Sequence, residues 1–124
     1  LMSSSNIVLT NKNELNYTSE KVKGDGYYGF ADGLHTMSFH VSNFTGRIHL
    51  EATIVEDPAE TDWFPIDLGN LTAYLQFTAE TATKGSSFEG NFVYLRVKVD
   101  RAYLGAAAYD VATHGAISKV VILI

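Results

Sequence analysis

Cysteine is absent from this 124-residue chain, and proline occurs only twice. Without cysteine the chain can form no disulfide, zinc–thiolate site or iron–sulfur cluster, and it has no thiol nucleophile. Its stability must therefore come from packing. Basic residues are also few, since nine Lys and Arg stand against 14 Asp and Glu and give a net charge of -5. An acidic chain in which Lys and Arg do not cluster has no cationic field to attract phosphate, so nucleic acid is not expected as a partner.

Long apolar runs are missing as well. The longest, VVILI at residues 120–124, is far shorter than the roughly 20 residues that cross a bilayer. The serine-rich start has no charged-then-apolar signal pattern. We therefore expect no membrane segment and no secretion signal. The length predicts a single domain over residues 1–124, in which residues 1–10 form an N-terminal arm or the first strand.

Two neighbouring segments alternate between apolar and polar residues with a period of two. Residues 35–42 place Met37, Phe39 and Val41 on one side, and residues 47–55 place Ile48, Leu50, Ala52 and Ile54 on one side. This period is typical of half-buried strands. Asn43–Gly46, with sequence NFTG, has the composition of a tight turn. These residues predict an antiparallel hairpin.

The remaining strong segments also have the period of strands. We predict strands at residues 6–10, 17–23, 71–78, 91–100 and 116–124, a long loop at residues 79–91, and only single helical turns near residues 58–62 and within 101–110. Seven or eight strands without crossover helices predict an all-β fold. The expected architecture is a single antiparallel β-sandwich of the jelly-roll or galactose-binding-like type.

No recognisable catalytic motif is present. Gly24, Gly26 and Gly29 spell G-x-G-x-x-G, but a strand rather than a helix follows them, so a dinucleotide site is not expected. The nucleophile elbow G-x-S-x-G is missing, and no spacing places a base beside a nucleophile. We expect neither an enzyme nor a cofactor.

The histidines and acidic residues do not have the spacing of a metal site. No H-x-H, H-E-x-x-H or calcium-loop pattern occurs. The predicted hairpin would make His40 and His49 cross-strand neighbours, yet two imidazoles without a third ligand form a weak site. We therefore predict no bound metal, and we expect the histidines in solvated or interface positions.

Two surfaces are candidates for contact with partners. In the strand at residues 91–100, Phe92, Tyr94 and Arg96 point away from the predicted core, and aromatic residues with Arg are enriched in protein interfaces. In the last strand Val121 and Leu123 form a second apolar face, which is typical of a strand covered on both sides or by another subunit. These five residues are the predicted interface.

The order of these motifs resembles a known class of module. TMSFHVSNFTGRIHLEATIVEDP is followed by DWFPI, by GNFVYLRVKVD and by GAISKVVILI, over residues 35–124. This order resembles the galactose-binding-like, or discoidin-like, β-sandwich modules of structural proteins in tailed bacteriophages. The residues in the matching places are Gly46, Glu51, Trp63, Tyr94 and Arg96.

The resemblance implies a non-enzymatic virion structural protein, such as a capsid decoration, neck or tail component. It would be made in the host cytoplasm and would pack against other virion proteins or copies of itself. Some modules of the wider fold bind sugars through loop aromatics at one end of the sandwich. The alternative expectation is therefore a carbohydrate-binding module that contacts glycans through Tyr27, Tyr28 and Trp63.

Overall fold

The computed structural model describes residues 5–10, 14–24, 27, 34–66, 74–105 and 108–123. The strands in these residues are β1 (Ser5–Leu9), β2 (Tyr17–Thr18), β3 (Val22–Lys23), β4 (Leu34–Thr53), β5 (Phe64–Ile66), β6 (Leu75–Glu89), β7 (Tyr94–Asp100) and β8 (Ala116–Leu123). Short 3-10 turns at Glu60–Asp62 and Ala102–Leu104, and one turn of helix, α1 (Val111–His114), lie between them. The two 3-10 turns confirm the single helical turns expected there.

All pairings between the described strands are antiparallel, and they form one sheet. Its order is β1-β8-β4-β7-β2, while β3 pairs with β7 and both β5 and β6 pair with β4. The first half of β4 lies beside β8, at residues 36–42, and its second half lies beside β7, at residues 47–53. The sheet curls so that these halves share one core, which confirms an all-β, sandwich-like fold.

The predicted hairpin at residues 35–55 is wrong, because β4 passes through it as one strand of 20 residues. Asn43 takes a positive φ of 49°, and the register with β6 shifts on both sides of Phe44. These are the marks of a β-bulge, in which one extra residue bends a strand without reversing it. The Phe44 side chain is fully buried in the core, where the exposed tip of a hairpin would not place it.

The bulge still preserves the alternation that suggested two strands. Met37, Phe39 and Val41 are buried before it, and Ile48, Leu50 and Ala52 are buried after it. One extra residue changes the parity of the inward positions from odd to even. A two-residue period that changes phase is therefore as typical of a bulged strand as of a hairpin. Ile54, also expected inward, is 66% exposed beyond the end of β4.

The predicted loop at residues 79–91 is wrong in the same way. β6 continues from Leu75 to Glu89 and follows β4 along most of its length. Ala79, with φ 46°, marks a second bulge opposite the first. Polar and small residues such as Thr, Ser and Gly made this segment appear to be a loop. Cross-strand pairing with β4 overrides that local composition.

The later strands agree with the prediction in their central residues, but β7 begins at Tyr94 rather than at residue 91, and β6 begins at Leu75. Leu95, Val97 and Val99 of β7 are fully buried, as are Val120 and Ile122 of β8. Val121 is half-buried and Leu123 is 43% exposed on the opposite side of β8. Residues 71–73 and Ile124, which belonged to predicted strands, lie outside the described residues. α1 was not predicted; Asp110 caps it by accepting from the Ala112 amide.

A fully buried arginine, Arg101, holds three segments together. Its Nε donates to the Thr45 carbonyl at the β4 bulge (2.9 Å), and its Nη1 donates to the Glu14 carbonyl (2.9 Å). Its Nη2 donates to the carbonyl of His114 at the end of α1 (3.3 Å). Burial lowers the pKa of this guanidinium. Gly46 makes the arrangement possible, because a Cβ there would lie 2.8 Å from Cγ of Arg101.

Candidate functional site

The outer face of β4 and β7 brings charged and aromatic side chains into register. Cross-strand pairing sets Glu51 opposite Arg96, and Thr53 opposite Tyr94. Residues at such positions have Cβ atoms about 5 Å apart, so their side chains interact directly. The sheet therefore supports this face as a rigid platform.

Arg96 is the centre of the face. Its Nε donates to Glu51 (2.8 Å), its Nη2 donates to Glu60 (2.9 Å), and its guanidinium lies 4.3 Å from the centre of the Trp63 ring. Burial by itself would lower the pKa of Arg96, but the hydrogen bonds that Arg96 donates to Glu60 and Glu51, together with the charges of these carboxylates, outweigh burial and raise it. The charge of Arg96 is thus held between two carboxylates and a half-buried tryptophan.

The link between Arg96 and Glu60 fastens the loop after β4 to the sheet. Arg96 holds the pKa of Glu60 below its ordinary value of 4.5, first through the hydrogen bond and then through charge attraction. Because the pKa of Glu60 is lowered in the folded state, its interaction with Arg96 is fully formed at pH values above the ordinary pKa of a glutamate. It is lost as the pH falls through the lowered pKa.

We expect a carbon-detected NMR titration to show this directly. The Glu60 carboxyl should titrate with a midpoint below 4.5 in the wild-type chain, and the midpoint should rise toward 4.5 in Arg96→Gln. Glutamine keeps a hydrogen-bonding side chain but removes the positive charge. An identical midpoint in both chains would contradict the assigned ion pair.

Aromatic rings and lysines continue the face beyond Arg96. The ring centres of Tyr94 and Tyr27 are 5.6 Å apart. Lys21 Nζ lies 4.7 Å from the centre of the Tyr94 ring, and Lys23 Nζ lies 4.4 Å from that of Tyr27. The face of an aromatic ring carries partial negative charge, so it attracts a cation that lies over it. Tyr27 remains 44% exposed, so this end of the face is accessible to a partner.

A polar cleft of about 270 Å³ opens beside Trp63. It is lined by Ser19, Glu20, Lys21, Pro58, Glu60, Trp63 and Arg96. The lining combines an indole with hydroxyl, ammonium, guanidinium and carboxylate groups. Such a cleft can accept a polar ligand or a polar side chain of another protein.

The structure thus joins residues that the sequence assigned to separate surfaces. Tyr94 and Arg96 came from the predicted interface, while Tyr27 and Trp63 came from the predicted glycan contact, and all four lie on one face. Tyr28 lies outside the described residues. Phe92 does not point outward as expected, because it packs against the core beside Phe88 and His35. Val121 and Leu123 lie on a different strand, β8.

A second group of a cation and aromatic rings lies at the other end of the face, and the sequence did not predict it. The guanidinium of Arg47 lies 4.5 Å from the centre of the Tyr74 ring and 4.2 Å from that of Tyr103. The alternation placed Arg47 on the outward side, but the two tyrosines come from distant segments. No local spacing could have indicated that they meet.

The histidines differ from their expected positions. His40 and His49 are not cross-strand neighbours, because both lie on β4. His35 and His114 are buried rather than solvated. His35 is stacked on Phe88, and neither of its ring nitrogens has a hydrogen-bond partner among the residues that the structure describes. Among the described residues, no group of three or more His, Asp or Glu side chains is placed to hold a metal ion.

One pair of side chains contradicts the expectation that no base lies beside a nucleophile. Ser38 Oγ is 2.9 Å from His40 Nε2, and Thr83 Oγ1 is 3.4 Å from Nδ1 of the same ring. Ser38 and His40 are two residues apart on one strand, so a common side of β4 brings them together. The hydrogen bonds of the described residues give this histidine no carboxylate to orient it, as a catalytic triad requires.

Comparisons with known proteins give no relative. No family model matches the chain, and neither the curated proteins nor the solved structures give a significant match. Within the part of the chain that the structure describes, no helix has the length and apolar character needed to cross a membrane.

Proposed function

We propose that this chain is a non-enzymatic structural component of a tailed-phage virion, in which it packs against other virion proteins or copies of itself. The observation that carries the proposal is the convergence of the residues behind the motif resemblance. Glu51, Trp63, Tyr94 and Arg96 are scattered over 46 positions of the sequence, yet they lie on one face. Gly46, the fifth, lies at the β4 bulge.

The chemistry of this face favours a protein partner. Trp, Tyr and Arg are the residues that most often dominate the binding energy of protein interfaces. Here Tyr94 and Arg96 lie on β7, and Arg96 is held by ion pairs with Glu51 and Glu60 and lies over the Trp63 ring. Little side-chain entropy is therefore lost at Arg96 on binding. Arg96 and Lys21 also lie over the Trp63 and Tyr94 rings, which leaves less ring surface for stacking a sugar. We place the principal docking surface at Tyr27, Trp63, Tyr94 and Arg96.

Incorporation into particles tests this proposal. A phage with its own copy of the gene inactivated is complemented with the wild-type chain or with Tyr27→Ala/Tyr94→Ala. We expect the copy number of the double variant in purified particles to fall at least about tenfold. Truncation of interface aromatics that dominate the binding energy typically weakens binding by about 2 kcal/mol or more. Quantitative mass spectrometry of the particles gives the copy number, and thermal melting of the purified variant checks that it folds.

The matched control is Val111→Ala, which shortens a 61% exposed apolar residue on α1. We expect this variant to enter particles normally. Leu123→Ser, on the outward side of β8, tests the second predicted surface in the same assay. If the wild-type chain is absent from purified particles, or if the folded double variant enters them fully, the proposal fails.

The cleft beside Trp63 favours one alternative, a carbohydrate-binding module. Its hydroxyl, ammonium and carboxylate groups resemble the polar groups that orient ligands in small-molecule sites. A glycan array probed with the wild-type chain tests it. Retention that disappears in Trp63→Ala, but persists in Val111→Ala, would support the alternative over the structural role.

A further inference from the structure

A different surface, the edge of β6 that no described strand covers, is a candidate for association between copies of this chain. β6 is 15 residues long, and among the described strands it pairs with β4 alone. Its residues on the side away from the core, including Thr81, Thr83 and Ser87, are exposed. An open edge presents backbone N–H and C=O groups that can pair with another extended segment.

The described residues of one copy give no reason for Gly85, near the middle of this edge. Among them, a Cβ at Gly85 would meet nothing closer than the Met37 carbonyl oxygen at 3.8 Å, and the φ of Gly85 is not positive. Glycine within a strand lowers stability, and where neither packing nor conformation requires it, it often marks the close approach of another backbone. A partner strand at this edge would supply that backbone.

The opposite charges of Lys84 and Glu80 on β6 favour a second copy of β6 as the partner strand. Lys84 Nζ lies 3.5 Å from Glu80 Oε2 of the same strand. Four residues of a strand span about 13 Å, so both side chains must extend along the edge to meet. Directly opposite residues on adjacent strands have Cβ atoms only about 5 Å apart. The same two residues would therefore pair more easily between two antiparallel copies of β6.

We propose that two copies of this chain pair β6 with β6, antiparallel, around a two-fold axis at Ala82. A two-fold axis perpendicular to the sheet pairs residue i of one copy with residue j of the other so that i + j is the same even number for every pair. With Ala82 opposite itself, Lys84 of each copy faces Glu80 of the other, so two ion pairs form. Glu89 cannot take this role, because 84 and 89 add to an odd number.

The same register accounts for the other residues of the edge. Thr81 of one copy lies opposite Thr83 of the other, a cross-strand pair that favours strand association. Gly85 lies opposite Ala79, whose positive φ bends the chain at the second bulge. Lysine and bulges on an edge commonly prevent strand pairing. In this arrangement the lysine gains a partner carboxylate, and the bulge meets the one residue without a side chain.

Charge exchange tests the pairing in the full chain. Lys84→Glu should weaken self-association about tenfold, because each Glu80 then faces a second carboxylate across the edge. The exchanged variant Glu80→Lys/Lys84→Glu should restore association to the wild-type level. Sedimentation velocity over a range of protein concentrations gives the dissociation constant. Hydrogen exchange should show protection of β6 amides that increases with concentration.

Lys119→Glu is the matched control, because it makes the same charge change at an exposed position on β8. It should leave the dissociation constant unchanged. A wild-type chain that stays monomeric at about 1 mM, a level at which even weak strand pairing is populated, would overturn the proposal. So would a dimer that Lys119→Glu weakens equally, or one that the charge exchange fails to restore. This test uses the purified chain alone, so its outcome is independent of incorporation into virions.

Discussion

Replacement of Arg101 by methionine should lower the free energy of unfolding by about 3–5 kcal/mol and the melting temperature by about 10–20 °C. Methionine fills much of the volume, but it leaves the carbonyls of Glu14, Thr45 and His114 without their donors. A buried carbonyl without a donor costs about 1–3 kcal/mol; the contact to His114 is buried, and those to Thr45 and Glu14 are partly buried. Thermal and urea unfolding followed by circular dichroism measure the change.

The loss of stability expected for Arg101→Met is larger than for many buried ion pairs, because the partners of Arg101 are backbone carbonyls. A buried pair of side chains can often be replaced by apolar residues with little loss, since both charges are removed together. Here the acceptors belong to the backbone, so no single substitution can remove them. Arg101→Lys, which keeps the charge but not the fork of donors, should fall between the wild type and methionine.

The control for Arg101 is Lys98→Met, an exposed position on β7, the strand that ends one residue before Arg101. It should change stability by no more than about 0.5 kcal/mol. If Arg101→Met lies within about 1 kcal/mol of the wild type, a threshold set by the typical effect of one mutation, the three segments are not held together through this side chain. The contact would then be a consequence of the fold rather than one of its causes.

Phe44→Ala should also cost about 3–5 kcal/mol, because it leaves a cavity in the core. The Phe44 ring is fully buried, packs edge-to-face on Phe77 with ring centres 5.6 Å apart, and lies 4.7 Å from the Arg101 guanidinium. This variant distinguishes a bulged β4 from a hairpin. A phenylalanine at an exposed turn would lose about 0.5 kcal/mol or less.

Phe64→Ala provides the comparison for Phe44, since Phe64 is 38% exposed on the short strand β5. Its loss should be well below that of Phe44, on the order of 1–1.5 kcal/mol from the apolar area that it buries. Equal losses for the two variants, measured by urea unfolding, would contradict the bulge. Phe44 and Arg101 are in contact, so their effects should not add in the double variant.

The candidate site was only partly predictable. Sequence alternation predicts Tyr94 and Arg96 on the outward side of β7, and the motif resemblance implies Tyr27, Tyr28 and Trp63 only as an alternative glycan contact. Their convergence could not be predicted, because Trp63 reaches Arg96 only when the loop after β4 folds back over the sheet. Phe92 illustrates the opposite error: it precedes β7, so the parity of the strand does not govern its direction.

By itself, the sequence determined the class of fold and the inward face of most strands. A two-residue period is a local property, since alternate side chains of any strand point to opposite sides. The tertiary structure alone decided whether Asn43–Gly46 reverses the chain or bends it, because the same small and polar residues suit both a turn and a bulge. Pairing with β6, more than 30 residues away, resolves that choice. The burial of Arg101 depends on the same long-range arrangement, since its acceptors come from three segments that only the folded chain brings together.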